Sequence, residues 1–216
     1  MLEKLPDAIG HALRNLRAGL ENIAFNQIDL RAGTGSINLS SLAFNDHEPI
    51  PEQYTADGNG TSPPLEWTGI PAGATSLVLI VEDADAPTPH PLVHAIAVEI
   101  APQDGSLPEG ALNHSEHADS VLKVGRNSYL QANWLPPDPP PGHGVHRYAF
   151  QIFALAAGPD FSGTPGRDAI LEALRERAIA SGCLIGTYER PDDSIKVNAN
   201  DAILVGSPSD TPAASA

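Results

Sequence analysis

The chain has 216 residues, and its 27 Asp and Glu against 12 Lys and Arg give a formal net charge of -15. This length and a hydrophobic content of 41% predict one folded domain with appendages and exclude a chain that is disordered throughout. Residues 32–122 contain no Lys or Arg. Such an acidic surface repels phosphate backbones and anionic lipid surfaces, so we expect no nucleic-acid partner.

The N-terminal part of the sequence carries the clearest helical pattern. Leucine and isoleucine recur there every three or four positions, at Leu2, Leu5, Ile9, Leu13, Leu16 and Leu20. This spacing predicts an amphipathic helix over about residues 2–23. We expect its apolar stripe to pack on the chain's own core or on a second subunit, as in a homodimer, and docking to a membrane or a partner is the alternative.

The rest of the chain has the pattern of a β protein, with short runs separated by proline and glycine. The chain holds 21 Pro and 19 Gly, and those that follow the N-terminal segment separate short runs that are apolar or alternating. We predict strands over residues 37–43, 76–82, 93–100, 146–155, 195–197 and 203–205, and a helix over 168–180 that Gly182 stops. The Gly-Thr-Gly-Ser stretch 33–36 would be a linker. The predicted organisation is therefore a helical extension over 1–36, a mainly β domain over 37–206 and a disordered tail over 207–216.

The sequence also carries signals about location. Its one cysteine, Cys183, has no partner for an internal disulfide, and no apolar leader with a cleavage site stands at the N-terminus. The longest strongly apolar run, residues 77–81, is far shorter than the roughly 20 residues that cross a bilayer. We therefore expect a cytoplasmic protein that does not span a membrane. The apolar neighbours of Cys183 are typical of a buried, inert thiol.

Acidic residues and a histidine lie at the ends of the first two long predicted strands. Asp83 and Asp85 share a face if the backbone stays extended, whereas Glu82 points away. His94 begins an apolar row on one face of the next predicted strand, which it shares with Ile96 if the side chains alternate. The structural alternatives are an Asx turn for the carboxylates and a satisfied core position for the histidine.

The third long strand begins with His146 and Tyr148 on one face. If the three strands are neighbours, these side chains and those of Asp83 and His94 ring a small polar mouth above an apolar core. Imidazole and phenol groups suit an anionic oxygen, and the acid could orient a histidine or accept from a ligand ammonium. Residues 136–144, which are rich in proline, would form a stiff wall beside this mouth, or a surface segment that binds aromatic grooves.

Five motifs in order across residues 44–190 resemble those of the phosphatidylethanolamine-binding protein (PEBP) family, which includes Raf kinase inhibitor protein. They are D-G-N-G-T-S-P-P-L-E-W at 57–67, D-A-D-A-P at 83–87, L-P-E-G at 107–110, P-P-P-G-H-G-V-H-R-Y-A-F at 139–150 and G-T-Y-E-R at 186–190. His94 resembles the histidine of the family's H-W pair.

The resemblance implies a PEBP-like β-sandwich with a large antiparallel sheet, few peripheral helices and a shallow pocket for small anions such as the phosphate of phosphoethanolamine. The N-terminal amphipathic helix would be an addition to that fold. Matched position by position, the ligand-binding residues would be Asp83, His94, His146 and Tyr148, with the backbone from Pro140 to Gly142 as a rim.

Three positions depart from the family pattern. Ala84 stands in place of a proline, Ala95 in place of a tryptophan and Trp134 in place of a tyrosine. The loss of an aromatic wall should widen the pocket, which leaves the choice of ligand open.

These features favour a non-enzymatic binding or regulatory protein with a pocket for phosphate or a phosphorylated headgroup. Family analogy adds a role as inhibitor or scaffold of a kinase or protease partner. The alternative is a small-molecule enzyme in which Asp83 and a histidine act as an acid–base pair. We predict no cofactor and no metal, because the histidine pairs 90/94, 114/117 and 143/146 have helical spacing but two of them fall on predicted strand or proline-rich loop.

Overall fold

The computed structural model describes residues 6–30, 35–113 and 122–190. Two sheets run through these residues. The small sheet has the order β2-β3-β6, with β2 at Asn38–Ser40, β3 at Leu65–Thr68 and β6 at Gly105–Leu107. The large sheet has the order β1-β9-β8-β4-β5-β7, with β1 at Gly35–Ser36, β4 at Ser76–Asp83, β5 at Leu92–Ile100, β7 at Lys123–Val124, β8 at His146–Leu155 and β9 at Ala178–Tyr188.

The central strand β4 is covered on both faces, which explains its continuous apolar sequence. One face packs against the small sheet, where Leu77 and Leu79 join a cluster with Trp67. The other face packs against helix α3 (Arg167–Arg177), where Val78 and Ile80 are buried in a second apolar cluster. The chain is thus mainly β, as predicted, with two sheets and few helices. None of the helices in the described ranges is long and apolar enough to cross a membrane.

The N-terminal helix is present but much shorter than predicted. Helix α1 covers only Asp7–Leu13, and a separate short helix, α2, covers Ala24–Gln27. Between them the backbone N–H groups of Ala18 and Gly19 donate to the carbonyls of Ala86 and Ala84, at 3.0 and 2.7 Å. These long-range hydrogen bonds end the helical periodicity. They hold residues 6–30, which we call the strap, along the core.

The strands predicted at 76–82, 93–100 and 146–155 are confirmed as β4, β5 and β8. The predicted strand 37–43 is shorter, and the predicted helix 168–180 ends at Arg177. Strand β9 begins at once, since Gly182 lies opposite Ile152 in the ladder rather than stopping a helix. A Cβ at Gly182 would stand 2.3 Å from the carbonyl oxygen of Ile37, so the residue lets a neighbouring segment approach the sheet closely.

Some predictions fall outside the described residues. These are the strands at 195–197 and 203–205 and the tail from 207. The domain boundaries near 36 and 206 stay predictions.

Candidate functional site

The predicted polar mouth forms where β4 ends and where β5 and β8 begin. Antiparallel pairing sets Asp83 opposite both Leu92 and Tyr148, so the polar ends of the three strands meet at one edge of the sheet. A cavity of about 40 Å³ lies there, lined by Asp83, Leu92, His94, Asp138, Pro140 and His146 among others. This volume exceeds the roughly 10–15 Å³ that one buried water needs.

A β-bulge aims His94 into this cavity. The ladder pairs Val81 with Ala95 and Glu82 with Val93, which leaves His94 as the extra residue between the two pairs. The extra residue breaks the alternation that the sequence predicts. His94 therefore does not share the face of Ile96, and its ring instead meets the edge of the Tyr148 ring at 5.1 Å between centroids.

Three side chains of the site form a chain of hydrogen bonds. Asp83 Oδ2 lies 2.8 Å from His146 Nδ1, and His146 Nε2 lies 2.6 Å from His143 Nδ1. His143 Nε2 then lies 2.9 Å from the carbonyl oxygen of Leu13 in the N-terminal strap. Both ring nitrogens of His146 are thus engaged within the protein, although the sequence suggested that this ring faces a ligand.

Two buried polar atoms at the site have no hydrogen-bond partner among the described residues. They are His94 Nε2 and the Tyr148 hydroxyl. The His94 Nδ1 atom lies 2.6 Å from the carbonyl oxygen of Leu135 and so carries the proton. Burial lowers the pKa of His94 and raises that of Tyr148 well above its ordinary value. At neutral pH the site therefore presents a lone pair on His94 and a neutral phenol.

The proline-rich wall of the cavity is anchored by a buried arginine. Arg190 Nη1 donates to the Pro139 carbonyl at 2.9 Å and lies 2.7 Å from Asp138 Oδ1. Its Nε donates to Asp57 Oδ2 at 2.8 Å. Arg190 thus ties Asp57, in the motif at 57–67, to the proline-rich wall at Pro139. The motif at 186–190 contains Arg190, but no local pattern in the sequence indicates this role.

Asp83 and Asp85 do not share a ligand. Asp83 Oδ1 accepts from the backbone N–H of Asp85 at 2.8 Å, the Asx-turn alternative. The side chain of Asp85 accepts instead from Arg147, at 2.6 and 2.7 Å, and lies 2.9 Å from Nη1 of Arg17 in the strap. Burial opposes ionisation of Asp85, but these arginines outweigh it and lower the pKa to about 2.

Asp85 should give the fold an acid-sensitive contribution. Its folded pKa of about 2 lies below the ordinary 3.8, so the contribution is complete above about pH 4 and is lost as the pH falls towards 2. We expect Asp85→Asn to be less stable than the wild type at pH 7, and the gap to shrink by about 1–2 kcal/mol at pH 2, because solvent at the partly exposed Arg147 weakens the ion pair. Urea unfolding at both pH values measures this, with the exposed Asp160→Asn as control. A gap that stays constant with pH would contradict the assignment.

Two further predictions concern the thiol of Cys183 and the histidine pairs. Burial raises the pKa of the Cys183 thiol to about 12, which keeps it protonated and unreactive at neutral pH. Within the described residues, no group of three or more His, Cys, Asp or Glu is arranged to hold a metal ion. The pair His114 and His117 lies outside these residues.

Residues 40–189 match the sequence profile of the family described as phosphatidylethanolamine-binding protein. The chain belongs to this family. PEBP membership indicates a binding or regulatory protein in general terms. The matched region contains the cavity residues and His143, whereas Leu13 and Arg17 of the strap come from outside it.

Relatives and solved structures agree with this assignment. A UPF0098 protein of Methanothermobacter thermautotrophicus is 36% identical over 154 residues, which are 71% of this chain and 99% of the relative. A UPF0098 protein of Mycobacterium tuberculosis is 40% identical over 157 residues, 72% of each chain.

The fold is similar to that of the PEBP homologue CT736 from Chlamydia trachomatis, with a TM-score of 0.64 and 34% identity over 72% of this chain and 98% of the other. It is also similar to Escherichia coli YbcL, described as a member of the mammalian PEBP family, with a TM-score of 0.66 and 25% identity over 72% of this chain and 99% of the other.

Proposed function

We propose that this PEBP-family protein binds a small oxyanion, phosphate or the phosphate of a phosphorylated headgroup, at the cavity that Asp83 and His94 line, where the ring of Tyr148 contacts that of His94. The observation that carries the proposal is the pair of buried, unpartnered polar atoms, His94 Nε2 and the Tyr148 hydroxyl. Buried polar groups are nearly always hydrogen-bonded. A ligand oxygen beside each of them would remove this deficit.

His94 Nε2 and the Tyr148 hydroxyl need different hydrogen-bonding partners. The neutral His94 ring offers a lone pair at Nε2, which needs a donor, whereas the Tyr148 hydroxyl can donate to an anionic oxygen. A phosphate that retains one proton supplies both, through its P–O–H group and its other oxygens. Sulfate is the same size but has no proton to donate at neutral pH, so we expect the site to prefer phosphate.

The carboxylates of the cavity have partners that reduce their repulsion of an anion. Asp83 is bonded to His146 at 2.8 Å, and Asp138 lies 2.7 Å from Arg190 Nη1. The hydrogen bond between Asp83 and His146 and the charge of Arg190 offset part of the negative charge that faces the cavity.

The same geometry favours a binding protein over the enzyme alternative. A general base needs a free ring nitrogen within reach of the substrate, and both nitrogens of His146 are hydrogen-bonded within the protein. Both nitrogens of His143 are also hydrogen-bonded within the protein. His94 has one free nitrogen but no carboxylate on the other, which contacts the Leu135 carbonyl. A regulatory action on a kinase or protease partner and a cytoplasmic location are further parts of this proposal that rest on the sequence and on family analogy.

Calorimetric titration with inorganic phosphate, O-phosphoethanolamine and sulfate tests the proposal. We expect saturable binding of both phosphate compounds and affinity for sulfate at least about tenfold lower, because the lone pair of His94 would face an unprotonated oxygen. Tyr148→Phe removes only the hydroxyl and should weaken phosphate binding by roughly 10- to 100-fold, as for a hydrogen bond to a charged group.

The matched control is His90→Ala, which removes an exposed histidine from the loop before β5 and should bind phosphate as the wild type does. Since the Tyr148 hydroxyl has no partner in the described part of the free protein, Tyr148→Phe should leave the unfolding midpoint nearly unchanged. Absence of binding by the folded wild type, or equal affinity in Tyr148→Phe, would refute the site.

A further inference from the structure

Asp83, His146, His143 and the Leu13 carbonyl form three hydrogen bonds in series, which we call the relay. Its contacts measure 2.8, 2.6 and 2.9 Å from Asp83 to Leu13. All three side chains are buried, with at most 5% of any residue exposed. The ring nitrogens of both histidines therefore have their hydrogen-bond partners within the protein.

Counting protons along the relay gives a definite result. Each of the three contacts needs one proton between its heavy atoms, because two facing lone pairs at these distances repel each other. Two neutral imidazoles supply one proton each, and an ionised carboxylate supplies none. The Leu13 carbonyl can only accept, so His143 must donate from Nε2. Leu13 therefore cannot supply the third proton that the three contacts need.

We propose that Asp83, His146 and His143 together hold one proton more than two neutral imidazoles and a carboxylate, and that the Leu13 carbonyl of the N-terminal strap enforces this count. The cluster then has no net charge instead of -1. His143 is thereby a positioning residue for the candidate site. The consequence for ligands, a cavity wall that does not repel an anion, rests on the proposed function.

The groups around the relay indicate where the additional proton resides. Burial lowers the pKa of His143, so its ring is neutral, with Nε2–H on Leu13 and a lone pair at Nδ1 that accepts from His146. The additional proton then lies between His146 and Asp83. Other titratable groups that face the relay include His94 from β5, Tyr148 from β8, whose ring stacks on His146 at 6.3 Å, and Asp138 from the proline-rich wall. The charges of Arg147 and Arg17 also act on Asp83 and His143, respectively.

The strap holds the far end of the relay tightly. Arg17 donates to the carbonyls of His143 and Val145, at 3.1 and 2.8 Å, and its charge also faces His143. Gly10 of α1 lies so close to the wall that a Cβ there would stand 1.8 Å from the Pro141 carbonyl oxygen. The segment outside the family-matched region thus fixes both the backbone and the ring of His143.

Nuclear magnetic resonance of the ligand-free full chain tests the proton count directly. Nitrogen-15 spectra of the histidine rings and carbon-13 spectra of the Asp83 carboxyl, recorded at pH 7, report which of the three groups carry protons. We expect three protons in total: Nε2–H on His143, Nε2–H on His146 and one more on His146 Nδ1 or Asp83. A total of two in the wild type would overturn the proposal.

Two variants separate the relay from a merely structural role. His143→Asn keeps an acceptor oxygen near the position of Nδ1, so His146 and Asp83 should retain the additional proton. His143→Leu removes the acceptor, and His146 should then keep only Nδ1–H, bonded to an ionised Asp83. Equal protonation of the His146–Asp83 pair in both variants would overturn the role given to His143.

Phosphate titration of the same proteins measures the link to the site. We expect His143→Asn to bind phosphate within about twofold of the wild type and His143→Leu to bind roughly tenfold more weakly, because its cluster regains a negative charge. If no protein binds phosphate while the count in the wild type is three, the proposed function fails and the relay stands. Equal affinities of the two variants would overturn the charge-neutralising role of the relay.

Discussion

Replacing Arg190 by Met should lower the free energy of unfolding by about 3–5 kcal/mol, the cost of breaking a buried ion pair by removing one partner. Arg190 is 1% exposed, and its guanidinium contacts Asp57, Asp138 and the Pro139 carbonyl. Methionine fills a similar volume but leaves both carboxylates without this cation. Denaturant unfolding followed by circular dichroism measures the loss.

The matched control for this substitution is Arg126→Met, which removes an exposed arginine and should change stability by no more than about 0.5 kcal/mol. Because Arg190 also anchors the wall at Pro139, phosphate affinity should fall in any folded Arg190 variant, including Arg190→Lys, whose ammonium cannot reproduce the fork of contacts. A loss of less than about 1 kcal/mol for Arg190→Met would show that the two carboxylates find other partners.

The spacing of apolar residues and the positions of proline and glycine predict the long central strands of the large sheet. Strands β4, β5 and β8 were identified because their runs of branched and aromatic residues are long and bounded by proline or glycine. The same runs placed Asp83, His146 and Tyr148 at strand ends, and antiparallel pairing brought these ends together. The general location of the candidate site thus follows from alternation and from strand adjacency, which the family resemblance suggested.

Features that depend on distant partners were not predictable in this way. The sequence around Ala178 continues a helical pattern, yet β9 starts there because ten of its eleven residues pair with β8. The bulge at His94 reflects a register shift against β4 and leaves no local signal. The relay needs Leu13 to meet His143, which lies 130 positions away in the sequence, and the apolar spacing of the N-terminal segment predicts a continuous helix instead.

The second large effect is expected at Glu82, which the alternation of β4 correctly turned away from Asp83. Its carboxylate is 0% exposed and accepts from the backbone N–H of Ala24 at 2.7 Å, from Gln151 Nε2 at 2.9 Å and from Arg167 Nε at 2.6 Å. One buried charge thereby joins the N-terminal segment, β8 and α3. No local pattern in the sequence indicates a role for Glu82, because its three donors come from distant segments.

Glu82→Gln should therefore lower the free energy of unfolding by about 3–5 kcal/mol, since the amide leaves Arg167 without its counter-ion and turns one donor towards another donor. The exposed Glu172→Gln on α3 is the matched control, and it should leave stability within about 0.5 kcal/mol. Hydrogen exchange adds a local readout: the Ala24 amide should lose protection in Glu82→Gln beyond the global loss, because its acceptor is weakened. Stability equal to that of the control, with the Ala24 amide still protected, would mean that α2 is held by its apolar contacts and that the buried carboxylate is not what fastens the strap.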